Sequence, residues 1–455
     1  DFVFEHGCRD VVKESSKPRA NAAFVVLCRN SELEGVITSM RSLERHFNQW
    51  FNYPWIFLNN EKFTKEFKTK VAQLASGQVK FGFIPQSKWD FPDETNENIT
   101  YFNEGIEAQG DRGILYGSMP SYHKMCRFYS GYFFKHPMVR KLDYYWRVEP
   151  DVQFFCDLTY DPFIEMEMNN KTYGFNVAIK ELINTVPNLF RYTKAFIKDQ
   201  NIQLGDSFEF FANDLLFYKG DNSIHYKSIK NKDQFYNKLQ ERIPMMNALN
   251  LSKSKKSKKS LLKKLDQHSV NKLIDHSNKR GLPLANKEQF DNNEFTMCHF
   301  WSNFEIARTD LFTSLPYQQY FEFLESSKGF YTERWGDAPI HSLAAGMFLN
   351  YSNIHYFRDI GYEHSTLTHC PYNAPLQKQK PYEKSKKYKN LYVEHDENYW
   401  LNYDKSITSN GIGVGCRCRC PDNFKEVEIS SGSCMPLWAS LVDDGKPAKK
   451  YLDLN

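Results

Sequence analysis

The sequence predicts an α/β protein whose mostly parallel sheet is flanked by helices, and three observations carry that reading. Apolar strands and amphipathic helices alternate through the first 85 residues. An aromatic strand then stops abruptly at two carboxylates, Glu149 and Asp151, held apart by Pro150. After a basic interruption the ordered pattern resumes and ends on a short strand that delivers a histidine, His364. Taken in order, Ala22 to Cys28 is a continuous apolar run, as a strand buried on both faces requires. The helix that follows carries Leu33, Ile37, Met40, Leu43 and Phe47 at helical spacing, with Ser31 and Glu34 as the expected capping box. Trp55 to Leu58 is the second strand, Thr64 to Leu74 the second helix and Gln78 to Ile84 the third strand. Tyr144 to Val148 is rich in strand-favouring residues. Further on, Phe295 to Ile306 tightens the pattern, His341 to Leu349 reads as an apolar helix, and Ile354 to Phe357 as the last strand. The first strand-to-helix turn has no GxGxxG, which excludes a dinucleotide fingerprint. Arg29 and the helix start beyond it remain suited to phosphate or ribose oxygens.

Composition narrows the function. Hydrophobic residues at 41% and aromatics at 16% supply a large core, so disorder is not the default state. The formal charge of +4 misleads: Ser252 to Lys264 holds seven lysines and no acid, leaving 4 − 7 = −3 for the rest, a mildly acidic body without a nucleic-acid surface. Residues 1–19 read as a polar stem and 20–371 as the catalytic domain. An insertion at about 206–294 has a Lys/Ser-rich centre, Leu251 to Leu265, that reads as a solvated loop. The segment 372–455 is a cysteine-containing extension expected to pack on the domain. Ten cysteines with no pair of CxxC motifs give little support to zinc, and with sequons at Asn98, Asn170, Asn250 and Asn350 they favour an oxidising, glycosylating compartment. No apolar run reaches membrane-spanning length, and the chain reads as a fragment whose anchor lies outside it.

Two hard oxygen ligands at the carboxyl rim of such a sheet suit Mg²⁺ or Mn²⁺ carrying a phosphate-bearing substrate, the alternative being a turn of solvated acids. His364 is a good partner for a carboxylate at such an ion, or else a structural histidine. Glu305 lies among aromatics where a carboxyl is seldom idle; it is a catalytic group or one half of an ion pair with Arg308 or Arg334.

Several blocks identify a family. Tyr145 to Pro150, Cys298 to Ile306, Glu333 to Pro339 and Arg358 to Tyr362 closely resemble the fungal Golgi α-1,2-mannosyltransferases. So do Gly117 to Pro120, Tyr122 to Phe128 and Arg29 to Ser31. The resemblance implies a GT-A-like mixed fold and a type II Golgi membrane protein with a lumenal catalytic domain. It implies GDP-mannose as donor, Mn²⁺ as metal, a mannose-containing glycan of a glycoprotein as acceptor, and retention of the α configuration. It places metal ligands at Glu149 and His364, with Asp151 close by; a candidate nucleophile at Glu305; an active-site tyrosine at Tyr122; and nucleotide contacts at Arg29 and Arg127. Trp301 and Trp335 offer flat faces for a sugar or for core packing. A mannosylphosphate transferase on the same fold, a silent sugar-binding paralogue and an interaction protein built on Lys253 to Lys264 are the competing readings.

Overall fold

The computed structural model describes residues 3–92, 96–214, 293–386, 388 and 412–442. Strands β1 (Ala22–Leu27), β2 (Trp55–Asn59), β3 (Val79–Phe83) and β4 (Tyr144–Arg147) are separated by helices that include Leu33–Leu43, Lys65–Leu74 and Pro120–Gly131. Then come β5 (Val152–Phe154), β6 (Tyr173–Phe175), β7 (Ala178–Lys180) and β8 (Ala212–Asp214). Beyond the insertion lie β9 (Asn293–Phe295), β10 (Cys298–Phe300), β11 (Glu305–Arg308), the helix Asp337–Phe348, β12 (Ile354–Tyr356), β13 (Tyr362–His364) and β14 (Leu367–His369). The central sheet has seven strands in the order β12-β6-β11-β4-β1-β2-β3. Its pairs β1–β2, β1–β4, β2–β3 and β12–β6 are parallel, while β11 runs antiparallel to both β4 and β6. The sheet is therefore mixed and mostly parallel, as the alternation predicts.

The run Ala22–Leu27 is apolar throughout because both faces of β1 are covered. Ala23 and Val25 enter one hydrophobic cluster, with Phe128 and Tyr145, whereas Phe24 and Val26 enter a second, with Trp55 and Trp146. Thr64 caps the helix Lys65–Leu74, its Oγ1 accepting the Phe67 N–H at 3.1 Å. The Ser31–Glu34 box does not form. A 3₁₀ turn, Asn30–Glu32, precedes the helix instead, and the Glu32 carboxylate accepts the Arg29 N–H at 2.6 Å. The helix expected over 341–349 starts at Asp337, because Pro339 is tolerated within a first turn.

Residues 3–19 depart from the polar stem that the sequence suggests. Val3, Phe4, Cys8 and Val11 are buried, and Phe4 stacks on His355 at 3.7 Å between ring centroids. The described ends of the insertion pair with each other as β8 and β9, but its lysine-rich centre and Asn250 lie outside the described residues. Asn170 and Asn350 are exposed.

Four disulfides bind the extension to the body: Cys8–Cys416, Cys156–Cys418, Cys298–Cys434 and Cys370–Cys420. Two of these follow directly on β5 and β14, which flank β13 in a three-stranded sheet ordered β14-β13-β5. His369, Glu426 and Glu428 also meet at this seam in an arrangement that could ligate a cation. Here, however, both ring nitrogens face oxygen acceptors: Nδ1 lies 3.0 Å from Glu426 and Nε2 2.8 Å from the Arg358 carbonyl. Burial alone would lower the histidine, but Glu426 outweighs it and pushes the pKa up to about 9, so the ring is a cation that ties β14 to the extension.

Removing the Cys156–Cys418 link, which spans 262 residues, with Cys156→Ala and Cys418→Ala should destabilise the protein by about 2–5 kcal/mol in denaturant unfolding. An unchanged midpoint would show that the seam holds without it. Because the folded pKa of His369 is raised, its stabilisation is complete below about pH 6.5, the ordinary histidine value, and fades as pH rises through about 9. The difference in melting temperature between wild type and His369→Gln should accordingly be largest near pH 6 and close by about pH 10; a gap independent of pH would contradict the ion pair.

Candidate active site at the end of the fourth strand

The residues of β4 are buried, and its last, Arg147, leads into Val148, whose N–H is donated to the Val25 carbonyl at 3.1 Å. Pro150 then breaks the strand, and Asp151 takes a left-handed conformation at φ 60°. The turn is bolted to the helix Leu33–Leu43: the Asp151 N–H reaches the Gly35 carbonyl at 3.0 Å, and Ser39 Oγ donates to the Glu149 carbonyl at 2.8 Å. A Cβ at position 35 would stand 2.5 Å from Asp151 Oδ2, so glycine is what lets this carboxylate lie against the first turn of the helix. The chain continues as β5, which pairs antiparallel with β13 so that His364 faces Val152. Two segments more than 200 residues apart thereby bring Glu149, Asp151 and His364 to one edge.

Arg147 organises the interior of the site. Its Nε donates to Glu149 Oε1 at 2.6 Å, one terminal nitrogen reaches Asp337 Oδ2 at 2.5 Å, and the guanidinium lies 3.4 Å from the Tyr129 ring centroid. Ser302 Oγ also donates to Asp337 Oδ2, at 2.8 Å. Burial would raise Asp337, but the Arg147 guanidinium, with His341 and these hydrogen bonds, holds it below the usual carboxylate range. Burial wins at Glu149, whose pKa is raised despite Arg147. Both side-chain hydrogen bonds of Glu149 go to Oε1, and among the described residues Oε2 has none. Burial, and Arg147 after it, lower His364 and keep it neutral, against a smaller opposing effect of Asp151. Asn303 Nδ2 lies 3.2 Å from His364 Nδ1 and orients the ring. Glu149 Oε2 and the neutral imidazole of His364 are donors of the kind a divalent ion such as Mn²⁺ takes. Trp301 lies beside His364, at 5.2 Å between ring centroids, whereas Trp335 is buried in the core.

Glu305 stands directly across from Arg147 on β11. Tyr145 donates to one of its oxygens, and Tyr173 at 2.7 Å and His341 at 2.9 Å engage the other. Burial opposes ionisation, but His341 and these donors outweigh it and lower the pKa. The carboxylate is fully enclosed, so contact between Glu305 and a sugar is not met in this conformation; it is a buried anion paired with His341. Neither cation suggested by the sequence is its partner, since Arg308 pairs with Asp310 and Arg334 with Glu181.

Tyr122 is partly buried, stacked on Tyr116 and approached by Arg334 at 3.4 Å from its hydroxyl. Arg29 is exposed at the carboxyl end of β1, where a nucleotide contact was expected. Arg127 is a correction: its guanidinium is buried and committed to Glu325 at 2.7 Å, the Asp90 carbonyl at 3.1 Å and the Tyr132 hydroxyl at 3.0 Å, which leaves it a structural cation. The groups that the sequence analysis did not single out are Arg147, Asp337 and His341. A basic residue inside an apolar strand, two positions before an acid, was the available signal for Arg147.

The profile of the family described as glycolipid 2-alpha-mannosyltransferase matches residues 6–236 and 245–405. The chain belongs to this family. Among its relatives, the probable mannosyltransferase KTR5 of Saccharomyces cerevisiae is 43% identical over all of this chain and 84% of its own length. The O-glycoside alpha-1,2-mannosyltransferase homolog 4 of Schizosaccharomyces pombe is 40% identical over 98% of this chain and 83% of its own. Two solved structures share the GT-A-like fold at 31% identity and a TM-score of 0.59. They are the mannosyltransferase Ktr4p of S. cerevisiae in complex with GDP, covering 83% of this chain and 79% of its own, and core-mannan synthase A of Aspergillus fumigatus in its Mn/GDP form, covering 85% and 86%.

Replacing Arg147 by Met should leave Glu149 and Asp337 buried without their cation and cost about 3–5 kcal/mol in urea unfolding. A loss under about 1 kcal/mol, the range of an exposed ion pair, would show that the pair is not a structural linchpin.

Proposed function

We propose that the protein transfers mannose from GDP-mannose to a hydroxyl of a mannoside on N- or O-linked glycans of glycoproteins, forming an α-1,2 linkage with retention. We place it as a Golgi lumenal enzyme held by a type II anchor. Family membership supports the reaction class. The observation that carries the proposal is the convergence of the Glu149–Asp151 turn and His364 at one edge of the sheet, above the buried Arg147.

In this reading Glu149 and His364 hold Mn²⁺ and Asp151 lies close to it; when bound, the ion neutralises charge that develops on the departing diphosphate. Arg147 fixes the direction of the Glu149 carboxylate and leaves Oε2 open. Exposed Arg29 and the start of the helix Leu33–Leu43 offer positive charge and N–H donors to the nucleotide phosphates. His364 stays neutral, as a ligand must. Tyr122, backed by Arg334, presents a hydroxyl to the acceptor or the leaving phosphate. The enclosure of Glu305 favours attack by the acceptor hydroxyl on the leaving-group face over a covalent intermediate on this carboxylate, while its anion supports positive charge nearby.

The test is incubation with GDP-mannose, Mn²⁺ and a panel of mannosides, followed by identification of the nucleotide and the linkage. Release of GDP is expected; release of GMP would instead mark transfer of mannosylphosphate. Glu149→Ala and His364→Ala should each lower turnover about a hundredfold or more while the protein stays folded. Full turnover in either variant, or transfer indifferent to a chelator, would refute the site.

A further inference from the structure

Tyr116 occupies a left-handed backbone conformation, φ 59°, that a bulky residue adopts only at a cost. The residue is 47% exposed, and its ring stacks on Tyr122 with centroids 4.8 Å apart and planes inclined by 24°. The loop that presents it is tightly held. His123 Nε2 lies 2.9 Å from the Gly117 carbonyl, the Gly117 N–H is donated to the Ile114 carbonyl at 2.8 Å, and a Cβ at Gly117 would stand 2.8 Å from Gln109. Leu115 and Met119 beside it are also exposed, at 52% and 43%. A fixed loop thus spends backbone strain to hold an aromatic face toward solvent, and strain of this kind collects at ligand sites.

The position of that face says what it would meet. The Arg147 guanidinium has Glu149 on one side and Asp337 on the other. Arg334, three residues before Asp337 in the chain, approaches the hydroxyl of Tyr122, on which Tyr116 stacks. The aromatic pair is thereby linked, through Arg334 and the helix that starts at Asp337, to the buried pairing around Arg147. We propose that Tyr116 is a sugar-stacking platform: it receives the apolar C–H face of a mannose ring of the acceptor, while Tyr122 and Arg334 present polar groups at that ring's edge. This rests on the mannosyl-transfer reading. An aromatic face suits a pyranose because it buries the ring's apolar side with few rotatable bonds to freeze, and leaves the hydroxyls to the polar groups.

Tyr116→Gly tests the idea, since glycine accepts the left-handed backbone and removes the ring without adding strain; Tyr116→Phe keeps the stacking face. With α-1,2-mannobiose as acceptor, Tyr116→Gly should raise the acceptor KM about tenfold. KM for GDP-mannose and the slow release of GDP without acceptor should not change, and Tyr116→Phe should behave as wild type. An acceptor KM within about twofold of wild type in Tyr116→Gly would overturn the proposal, as would an equal rise in both KM values. Binding of the disaccharide, followed by saturation-transfer NMR, separates this proposal from the reaction itself. If wild type fails to use GDP-mannose, the donor assignment falls, yet loss of the disaccharide signal in Tyr116→Gly with its retention in Tyr116→Phe still supports the platform. An unchanged signal in Tyr116→Gly overturns it.

Discussion

A buried guanidinium must be surrounded by matching anions, and that constraint on Arg147 governs the site. Taking an arginine out of water is costly unless its fork of donors is met by fixed acceptors. The acceptors come from opposite ends of the domain: Glu149 from the turn just after the strand, and Asp337 from the first residue of a helix 190 positions downstream. Tyr129 covers the flat face of the cation. Strand, turn and helix start are thereby held in one geometry, because no one of them can shift without leaving a buried charge unpaired. Glu305 lies one layer deeper, held by Tyr145, Tyr173 and His341.

The sheet is built to sustain that arrangement. The antiparallel β11, set between β4 and β6, brings Glu305 opposite Arg147 and also carries the segment of Ser302 and Asn303 to the edge. Next to it the small sheet β14-β13-β5 bears the acid turn at one end and His364 on its middle strand. Short three-stranded sheets are weak by themselves, since they bury little apolar surface. Disulfides at Cys156 and Cys370 and the charged His369–Glu426 contact fasten this one to the extension, so the last part of the chain acts as a brace for the edge where ligands converge.

Much of this was legible in one dimension. Strand and helix order through residue 84, the break at Pro150 and the short strand before His364 all follow from periodicity and from proline's missing donor. The neighbourhood of Glu149, Asp151 and His364 was anticipated from the chemistry of hard ligands and from resemblance. What escaped has a common cause. The cap at Glu32 rather than Ser31, the buried packing of residues 3–19 and the commitment of Arg127 to Glu325 each depend on which distant groups fill the space around a side chain. A sequence pattern shows that an arginine or an acid is present but not which opposite charge lies within 3 Å of it.

The sequence by itself determined the class of fold, the family and the residue types gathered where the fourth strand ends, because strand and helix periods and side-chain chemistry are local properties. The tertiary structure alone decided that Arg147 is the hinge between two acids, that Glu305 is enclosed by Tyr145, Tyr173 and His341, and that Tyr116 is held out to solvent on Tyr122. Those outcomes turn on the balance between desolvation and pairing at each buried charge, and that balance exists only once the chain has closed around it.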